Sequence, residues 1–322
     1  MRQGIIAAGN FILDRVKIID QFPAQDTLAS ILSQADSNGG GPYNLLKDLA
    51  LMQVSYPLHA AGLIGSDSAG KWILHDCEAH HISTTLLEVS PDYSTSYTDV
   101  MTVESNGRRT FFHQRGANAR FNGSNIPFAD STSKIFHLGY LLLLDHLDSF
   151  APDGRTHAAH LLARASAAGL TTSVDLVSAA HPQFREIVLS ALPHADFLFL
   201  NEIEAEHLLG HPIAVGAPAE IAAAASALLT HGTRHTVTLH TAAHAVSVCR
   251  SGEIHHQAAL QIPPETLRGT NGAGDAFAAG FLHAIHEELS IPAALALAVR
   301  VAAASLTHPT PSGGIDPHCL NL

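Results

Sequence analysis

The chain has 322 residues, of which 46% are hydrophobic and 14% charged, a composition that excludes a disordered chain and predicts one large globular unit. It carries 17 Lys and Arg against 29 Asp and Glu, a formal net charge of −12, which argues against binding to a nucleic-acid backbone. No apolar run is long enough to span a bilayer, and three widely spaced cysteines favour a reducing compartment. We therefore expect a cytoplasmic protein without membrane or nucleic-acid partners.

Polar residues interrupt the apolar runs of the N-terminal segment at two places. Residues 5–8 are apolar, end in Gly9-Asn10 and continue through residues 11–13 to Asp14, which predicts a β-strand with a carboxylate at its tip. The glycine-rich residues 38–41 predict a loop, and the helical spacing of apolar residues after Asn44 predicts a helix.

A β-hairpin is predicted near the middle of the N-terminal half. Residues 96–103 and 108–113 are β-prone runs that meet around Asn106-Gly107, a strong two-residue hairpin signal. Together with an extended segment at residues 16–28, this hairpin would form a small sheet separate from the main body.

From about residue 133 the pattern alternates between strands and helices. Apolar strand-like runs at 135–138, 173–177, 197–200 and 236–239 alternate with helical stretches at 155–168, 202–209 and 219–230. Such alternation predicts an α/β fold with a doubly wound, mainly parallel sheet and helices on both faces. Ligands bind at the carboxyl ends of such strands, where Asp175, Asn201 and Asp275 would lie.

Residues 268–282 combine a glycine-rich loop with a helix predicted to begin at Asp275. Free backbone N–H groups at a helix N-terminus, together with the helix dipole, form a site for an anion such as phosphate. A carboxylate beside that site can take a proton from a hydroxyl as it attacks the phosphate. The segment therefore predicts phosphoryl transfer, and we expect Asp275 to be ionised near neutral pH.

The string from Thr270 to Phe277 resembles the C-terminal signature of the ribokinase-like (PfkB) carbohydrate kinases. The resemblance implies a ribokinase-like fold in which Asp275 is the catalytic base. It also implies that the backbone amides of the preceding three residues form the anion hole, namely those of Gly272, Ala273 and Gly274.

Motifs in the N-terminal half extend this resemblance to the acceptor site. The glycine cluster resembles the family's N-terminal signature, and residues 116–118 resemble a string found after the lid in ribokinase-type members. The resemblance implies that an acceptor sugar is bound by Asp14, Gly39, Gly40, Asn44 and Asn118.

The nucleotide side follows from the same resemblance. It implies that ATP and Mg²⁺ are the cofactors, and that Glu204 acts on Mg²⁺ indirectly, through water. His240 and His244 stand where family members carry small residues beside ATP, and Gly269 replaces an Asp that helps many relatives to hold a monovalent cation. Cofactor contacts are thereby assigned to Asn201, Glu204, Thr238, Thr270 and Asn271.

The sequence therefore predicts a single ribokinase-like domain over residues 1–322, with a small β-sheet lid formed by about 13–36 and 95–116. The expected reaction is ATP-dependent phosphorylation of a hydroxymethyl group of a small sugar, and the resemblance implies a homodimer contact through the lid. Two alternatives stay open at this point. The acceptor is instead a nucleoside, a keto-deoxy sugar acid or a sugar phosphate, or the protein binds sugar on a kinase scaffold without catalysis.

Overall fold

The computed structural model describes residues 2–320 and contains two β-sheets. Thirteen strands are present in this part of the chain: β1 Ile5–Gly9, β2 Ile12–Ile19, β3 Ile31–Gly39, β4 Leu58–Gly65, β5 Ser83–Ser90, β6 Tyr97–Val103, β7 Arg109–Gln114, β8 Ile135–Gly139, β9 Thr171–Val174, β10 Phe197–Asn201, β11 Thr236–His240, β12 His244–Cys249 and β13 Ile254–Ala258. The helices of the same part are α1 Gly41–Leu51, α2 Ser68–Ala79, α3 Asp145–Asp148, α4 His157–Ala167, α5 Phe184–Ala191, α6 Glu202–Leu209, α7 Pro218–Leu229, α8 Ala273–His286 and α9 Ile291–Ser305.

The larger sheet has nine strands in the order β13-β12-β11-β10-β9-β8-β1-β4-β5. The seven strands from β11 to β5 run parallel to one another, and β12 and β13 pair antiparallel at one edge. This arrangement confirms the prediction of a mainly parallel sheet. Strands separated by helices can run parallel because each helix returns the chain to the end of the sheet where the previous strand began.

Helices cover both faces of the large sheet, and β1 shows how one strand serves two cores. Ile6 and Ala8 belong to the core that also contains buried residues of α4, α5, α6 and α7. Ile5 and Ala7 belong to the opposite core, with residues of α1, α2, α8 and α9. Since side chains alternate across a strand, an unbroken apolar sequence is what a strand covered on both faces requires.

The prediction of one strand that runs from residue 5 and ends in Asp14 was wrong, because residues 5–14 divide between strands of two different sheets. The chain leaves β1 at Gly9, whose φ of 126° favours glycine, and the side-chain oxygen of Asn10 accepts a hydrogen bond from the Tyr140 backbone N–H at 2.6 Å. It then enters β2. Asp14 consequently lies inside a strand of the small sheet and not at the tip of β1.

The smaller sheet has four strands in the order β3-β2-β6-β7. The predicted hairpin is present as β6 and β7, and β2 pairs parallel to β6. Strand β3 was not predicted as a strand, although the predicted lid reached residue 36. It continues to Gly39, so the glycine cluster is not the predicted loop: Gly40 caps α1, which begins at Gly41. The six residues at the start of β3 are solvent-exposed and lack the apolar alternation that identifies a half-buried strand.

Asp48 on α1 is a buried carboxyl group, and neither of its oxygens has a hydrogen-bond partner among the described residues. Burial raises the pKa of Asp48 well above its usual value, which outweighs the opposing effect of the nearby Ser312 hydroxyl. The group is neutral in the folded protein at pH values where it is ionised in the unfolded chain, so it costs stability as the pH rises above about 4.

We expect Asp48→Asn to stabilise the protein more at pH 8 than at pH 5, because the amide keeps the shape without an ionisable proton. Thermal melts at the two pH values measure the difference. Asp130→Asn, at an exposed position, is the control and should show little difference. An equal change of Tm at both pH values for Asp48→Asn would contradict the assignment.

Candidate active site

A cavity of about 550 Å³ opens where the small sheet faces the carboxyl ends of the central strands of the large sheet. Residues from β2, β6 and β7 line one side, and residues that follow β8, β9 and β10 line the other, together with the start of α8. This is the position where ligands bind in open parallel sheets. Its polar lining includes Asp14, Asn44, Thr98, His113, Tyr140, Asp175, Asn201, Glu204, His240, Thr270, Asn271 and Asp275.

A helix N-terminus forms one wall of this cavity. Helix α8 begins at Ala273, two residues before the predicted start, so that Asp275 lies within its first turn. Its N-cap is Gly272, whose φ of 78° is left-handed and whose ideal Cβ would lie 2.5 Å from the Cβ of Pro311. Glycine is required here on both grounds. The free N–H groups of this turn can hold an anionic group.

Asp275 is buried and receives hydrogen bonds from two side chains. The Tyr140 hydroxyl donates to its two oxygens at 2.8 and 2.7 Å, and the Asn44 amide donates to Oδ2 at 2.7 Å. Burial raises the pKa of Asp275 to about 6, although both hydrogen bonds act in the opposite direction. The group is therefore mostly ionised at pH 7 and can accept a proton.

Tyr140 is a site residue that the sequence analysis missed. It follows β8 directly, its hydroxyl contacts Asp275, and its ring packs so closely on Gly41 that a Cβ there would lie 2.8 Å from it. Burial raises the pKa of the Tyr140 phenol well above its usual value, so the hydroxyl keeps its proton and can donate a hydrogen bond. Its position after a strand of the parallel sheet was the available signal.

A chain of side-chain hydrogen bonds orients Asn44. The Asn38 amide donates to the Asn44 Oδ1 at 2.7 Å and to the Ser312 hydroxyl at 2.9 Å. Because Asn44 accepts on its oxygen, its nitrogen points to Asp275. Asn38 and Ser312 thus hold a residue that contacts Asp275.

Asp14, on β2, lines the cavity from the small sheet. Its Oδ2 accepts a hydrogen bond from the Asn271 amide at 3.1 Å, and burial raises the pKa of Asp14 to about 7. A Cβ on Gly39 would lie 2.3 Å from the Asp14 carboxylate, and one on Gly40 would lie 2.3 Å from the Asn10 carbonyl oxygen. Gly40 lines the cavity together with Asp14, whereas Gly39 packs behind the carboxylate.

Two of the predicted site residues are directed elsewhere. Asn118 exchanges two hydrogen bonds with the backbone of Phe11, at 3.4 and 3.2 Å, and is fully buried outside the cavity lining. Thr238 lies inside β11 and bonds the Ser247 hydroxyl at 2.7 Å. Both positions hold the framework together, and neither reaches the cavity.

The cavity lining also includes a capping box at the start of α6. The Asn201 side chain accepts from the Glu204 backbone N–H at 3.0 Å, and the Glu204 carboxylate accepts from the Asn201 backbone at 2.9 Å. Ser178 donates to the same carboxylate at 2.9 Å. Because both Glu204 oxygens are already engaged, a metal contact through water fits this residue better than direct ligation.

Asp175 lies beside this box, and the sequence analysis placed it at a strand end without giving it a role. One oxygen accepts the Leu176 N–H at 2.8 Å. Burial raises the pKa of Asp175 well above its usual value, and the charges of Asp275 and Glu204 raise it further. Oxygen donors in such mutual repulsion fit Mg²⁺, which prefers carboxylate and water ligands and would relieve the repulsion.

The two histidines near β11 have different surroundings. His240 lines the cavity, packs against Phe277 with ring centroids 5.0 Å apart, and has its pKa lowered to about 4 by burial, so it is neutral at pH 7. His244 lies outside the cavity lining and bonds His256 at 2.9 Å.

An arginine side chain occupies the space beside Gly269. Gly269 offers no carboxylate, and the guanidinium of Arg109 fills the adjacent space: an ideal Cβ on Gly269 would lie 2.1 Å from the Arg109 Nη2. No step of the chemistry is therefore assigned to a monovalent cation.

A family model described as pfkB family carbohydrate kinase matches residues 4–317. A deoxyribokinase from Salmonella typhi is 25% identical over 306 residues, covering 94% of this chain and 92% of that protein. An adenosine kinase from Schizosaccharomyces pombe is 32% identical over 117 residues, covering 35% of this chain and 34% of that protein.

Solved structures show the same fold. The Arabidopsis thaliana ribokinase complexed with ribose and ATP has a TM-score of 0.76 at 20% identity, covering 99% of this chain and 97% of its own. The Giardia lamblia ribokinase has a TM-score of 0.79 at 18% identity, and the match covers 100% of this chain and 99% of that chain. A nucleoside kinase from Burkholderia thailandensis in complex with inosine has a TM-score of 0.72 at 17% identity, and the match covers 97% of this chain and 92% of that chain.

Proposed function

Because the chain belongs to the pfkB family of carbohydrate kinases, we propose that it transfers the γ-phosphate of ATP to a hydroxymethyl group of a small neutral sugar. The observation that carries this proposal is the buried Asp275 carboxylate, held by Asn44 and Tyr140 at the N-terminus of α8. A base with a pKa of about 6 beside free N–H groups is suited to deprotonating a hydroxyl at neutral pH.

In the proposed mechanism, each part of the cavity has one task. Asp14 and Asn44 orient the acceptor, and Asp275 takes the proton of the attacking hydroxyl. The backbone N–H groups of residues 272–274 stabilise the charge on the transferring phosphate. When Mg²⁺ is bound, it neutralises phosphate charge; Asp175 and Glu204 would hold it, with Glu204 acting through water.

The charge of the cavity supports a neutral acceptor. Its lining carries four carboxyl groups and, among the described residues, no Lys or Arg. Arg115, a basic residue near the small sheet, bonds Asp145 at 2.6 Å and the Leu142 carbonyl oxygen, and Arg120 lies over the ring of Tyr93. A sugar acid or sugar phosphate would bring a negative charge to an acidic cavity, where Arg115 and Arg120 supply no counter-charge. Arg109, whose charge acts on Asp14, lies outside the cavity lining.

A nucleoside is the second candidate acceptor, and the aromatic side chains of the small sheet favour it. Phe111 lines the cavity beside His113, whose Nδ1 bonds the Thr98 hydroxyl at 3.0 Å and whose Nε2 has no partner among the described residues. A ring face and an unpaired nitrogen are what recognition of a planar base uses. Partial matches to adenosine kinases agree with this alternative.

ADP release with MgATP tests the proposal across free sugars, nucleosides, sugar acids and sugar phosphates. We expect turnover with one neutral class, and loss of that turnover in Asp275→Asn. If no ADP is released with any of the four classes while sugar binding is still visible as a thermal shift, a non-catalytic sugar-binding protein would be favoured.

The pH dependence of the reaction provides a separate prediction. Since the hydrogen bond from Tyr140 lowers the pKa of Asp275, Tyr140→Phe should raise it, and the acid limb of kcat/KM, expected near pH 6, should move to higher pH. Rates measured from pH 5 to 9 give both limbs. Tyr56→Phe, which removes a hydroxyl bonded to His283 away from the cavity, is the control. An unchanged acid limb in Tyr140→Phe would contradict the role of the phenol.

Assembly and location stay predictions. The small sheet exposes apolar side chains, with Ile31 54% and Phe112 53% exposed, which supports the expected homodimer contact through the lid. The three cysteines are buried and unpaired, as expected in a reducing compartment. Within residues 2–320, no helix is both long and apolar enough to cross a bilayer.

A further inference from the structure

Arg109 extends from β7 of the small sheet toward the loop that precedes α8. Its Nη2 lies where the side chain of residue 269 would begin, 2.1 Å from an ideal Cβ on Gly269. The same Cβ position lies 3.1 Å from the His308 carbonyl oxygen, so the guanidinium occupies a narrow space between two loops. The φ of Gly269 is not left-handed. Glycine is therefore needed at this position to leave room for Arg109, and not for its backbone conformation.

The guanidinium is incompletely paired in this space. Its Nε and Nη1 are buried and have no hydrogen-bond partner among the described residues. Burial lowers the pKa of Arg109, and the charge of Asp14 opposes that effect. Since buried N–H donors without partners are costly even on a half-buried cation, a negatively charged group would complete the site.

The surrounding charges indicate which group this is. Asp14, whose charge acts on the guanidinium, is already bonded by Asn271, and the loop at Gly269 leads within three residues to the N-cap of α8. The cavity itself is lined by Asp14, Asp175, Glu204 and Asp275, without Lys or Arg among the described residues. Phosphate oxygens bound at α8 would therefore lack a nearby fixed positive charge if Arg109 were absent.

We propose that Arg109 is a built-in substitute for a monovalent cation beside the anion hole, so that the protein works without K⁺ or Na⁺. The inference rests on the proposed function, because the charge matters only where phosphate is bound. Since Arg109 belongs to the small sheet, this charge reaches the loop only when that sheet lies over the cavity. Arg109 is a positioning residue that acts through the loop at Gly269.

Binding of MgATP and of its β,γ-imido analogue, measured by calorimetry, tests the proposal without depending on turnover. Titrations are made in KCl, NaCl and tetramethylammonium chloride at one ionic strength. The unmodified protein should bind the analogue with the same Kd, within about twofold, in all three salts. Arg109→Met, which keeps the length of the side chain without its charge, should bind about tenfold more weakly in tetramethylammonium chloride.

Two further variants sharpen the comparison. Arg108→Met removes a charge from the neighbouring exposed residue and should leave the Kd unchanged. Gly269→Ala, whose Cβ would collide with the guanidinium, should weaken binding as Arg109→Met does, although no charge has been removed. Agreement between these two changes at separate positions would show that the effect comes from the placed guanidinium.

Three results would overturn the inference. A Kd of the unmodified protein that improves severalfold in KCl over tetramethylammonium chloride would show that a free cation is still used. An unchanged Kd in Arg109→Met would remove the residue from the site. A kinetic effect confined to the KM of one acceptor would make Arg109 an acceptor contact instead. Absence of any nucleotide binding in all proteins would reject the proposed function itself, a result distinct from these three.

Discussion

Replacing Asp275 by Asn is expected to lower kcat by a factor on the order of 10²–10⁴, because in the proposed mechanism this carboxylate takes the proton of the acceptor hydroxyl. The amide oxygen of Asn can still accept the hydrogen bonds that Asn44 and Tyr140 now donate. The geometry of the cavity should therefore persist. The KM values for both substrates should change much less than kcat, since binding contacts remain.

The stability of the same variant separates a chemical effect from misfolding. Burial raises the pKa of Asp275 from 3.8 to about 6, so its ionisation disfavours the folded state between these pH values, and this cost persists at higher pH. Asp275→Asn removes that cost and should melt no lower than the unmodified protein at pH 8. Retention of more than a tenth of the turnover by a folded variant would reject Asp275 as the base.

The second large effect is expected from Gly272→Ala, which should lower kcat by a factor on the order of 10–10². An Ala at the φ of 78° costs about 1–2 kcal/mol, and its Cβ would lie 2.5 Å from Pro311. Relief of this collision must move the loop or the first turn of α8, and the N–H groups that stabilise the phosphate charge move with it. Steady-state rates with MgATP and the best acceptor measure the loss.

Gly154→Ala is the matched control for backbone strain. Gly154 has a φ of 81°, close to that of Gly272, but no atom lies within 4 Å of its ideal Cβ and it lies outside the cavity lining. Both variants should lose thermal stability from the left-handed backbone, Gly272→Ala losing more because its Cβ also collides with Pro311, and only Gly272→Ala should lose activity. Equal activity in the two variants would show that the position of the α8 N-terminus is not critical.

Local patterns predicted much of the fold, because strand and helix periods are properties of neighbouring residues. The predicted helix at residues 202–209 matches α6, and the Asn-Gly pair at 106–107 does join two strands. The break between β1 and β2 was not visible, since apolar residues continue on both sides of Asn10. What divides them is the hydrogen bond from Tyr140, which is 130 residues away in the sequence.

The residues of the candidate site also divide into those that sequence motifs predicted and those that they did not. Asp275, Asn44 and Asp14 could be proposed because they belong to short motifs that resemble a family signature. Tyr140 and Arg109 belong to no such motif, and their roles depend on contacts with residues 135 and 160 positions later in the chain. Asn118 and Thr238 were placed by motif alone, and their hydrogen bonds go to the framework. Contacts between residues far apart in the sequence therefore bring unpredicted side chains into the site and direct predicted ones away from it.

The order of strands in the large sheet has a consequence for the chain as it is synthesised. Strand β1 is made early but pairs with β4 and, through Ile5 and Ile135, with β8, so it must wait for residues that emerge much later. The contact between Asn44 and Asp275 spans 231 residues. Nascent chains would therefore contain Asn44 long before Asp275, and the edge of apolar β1 that pairs with β8 would stay open to aggregation until residues 135–139 are made.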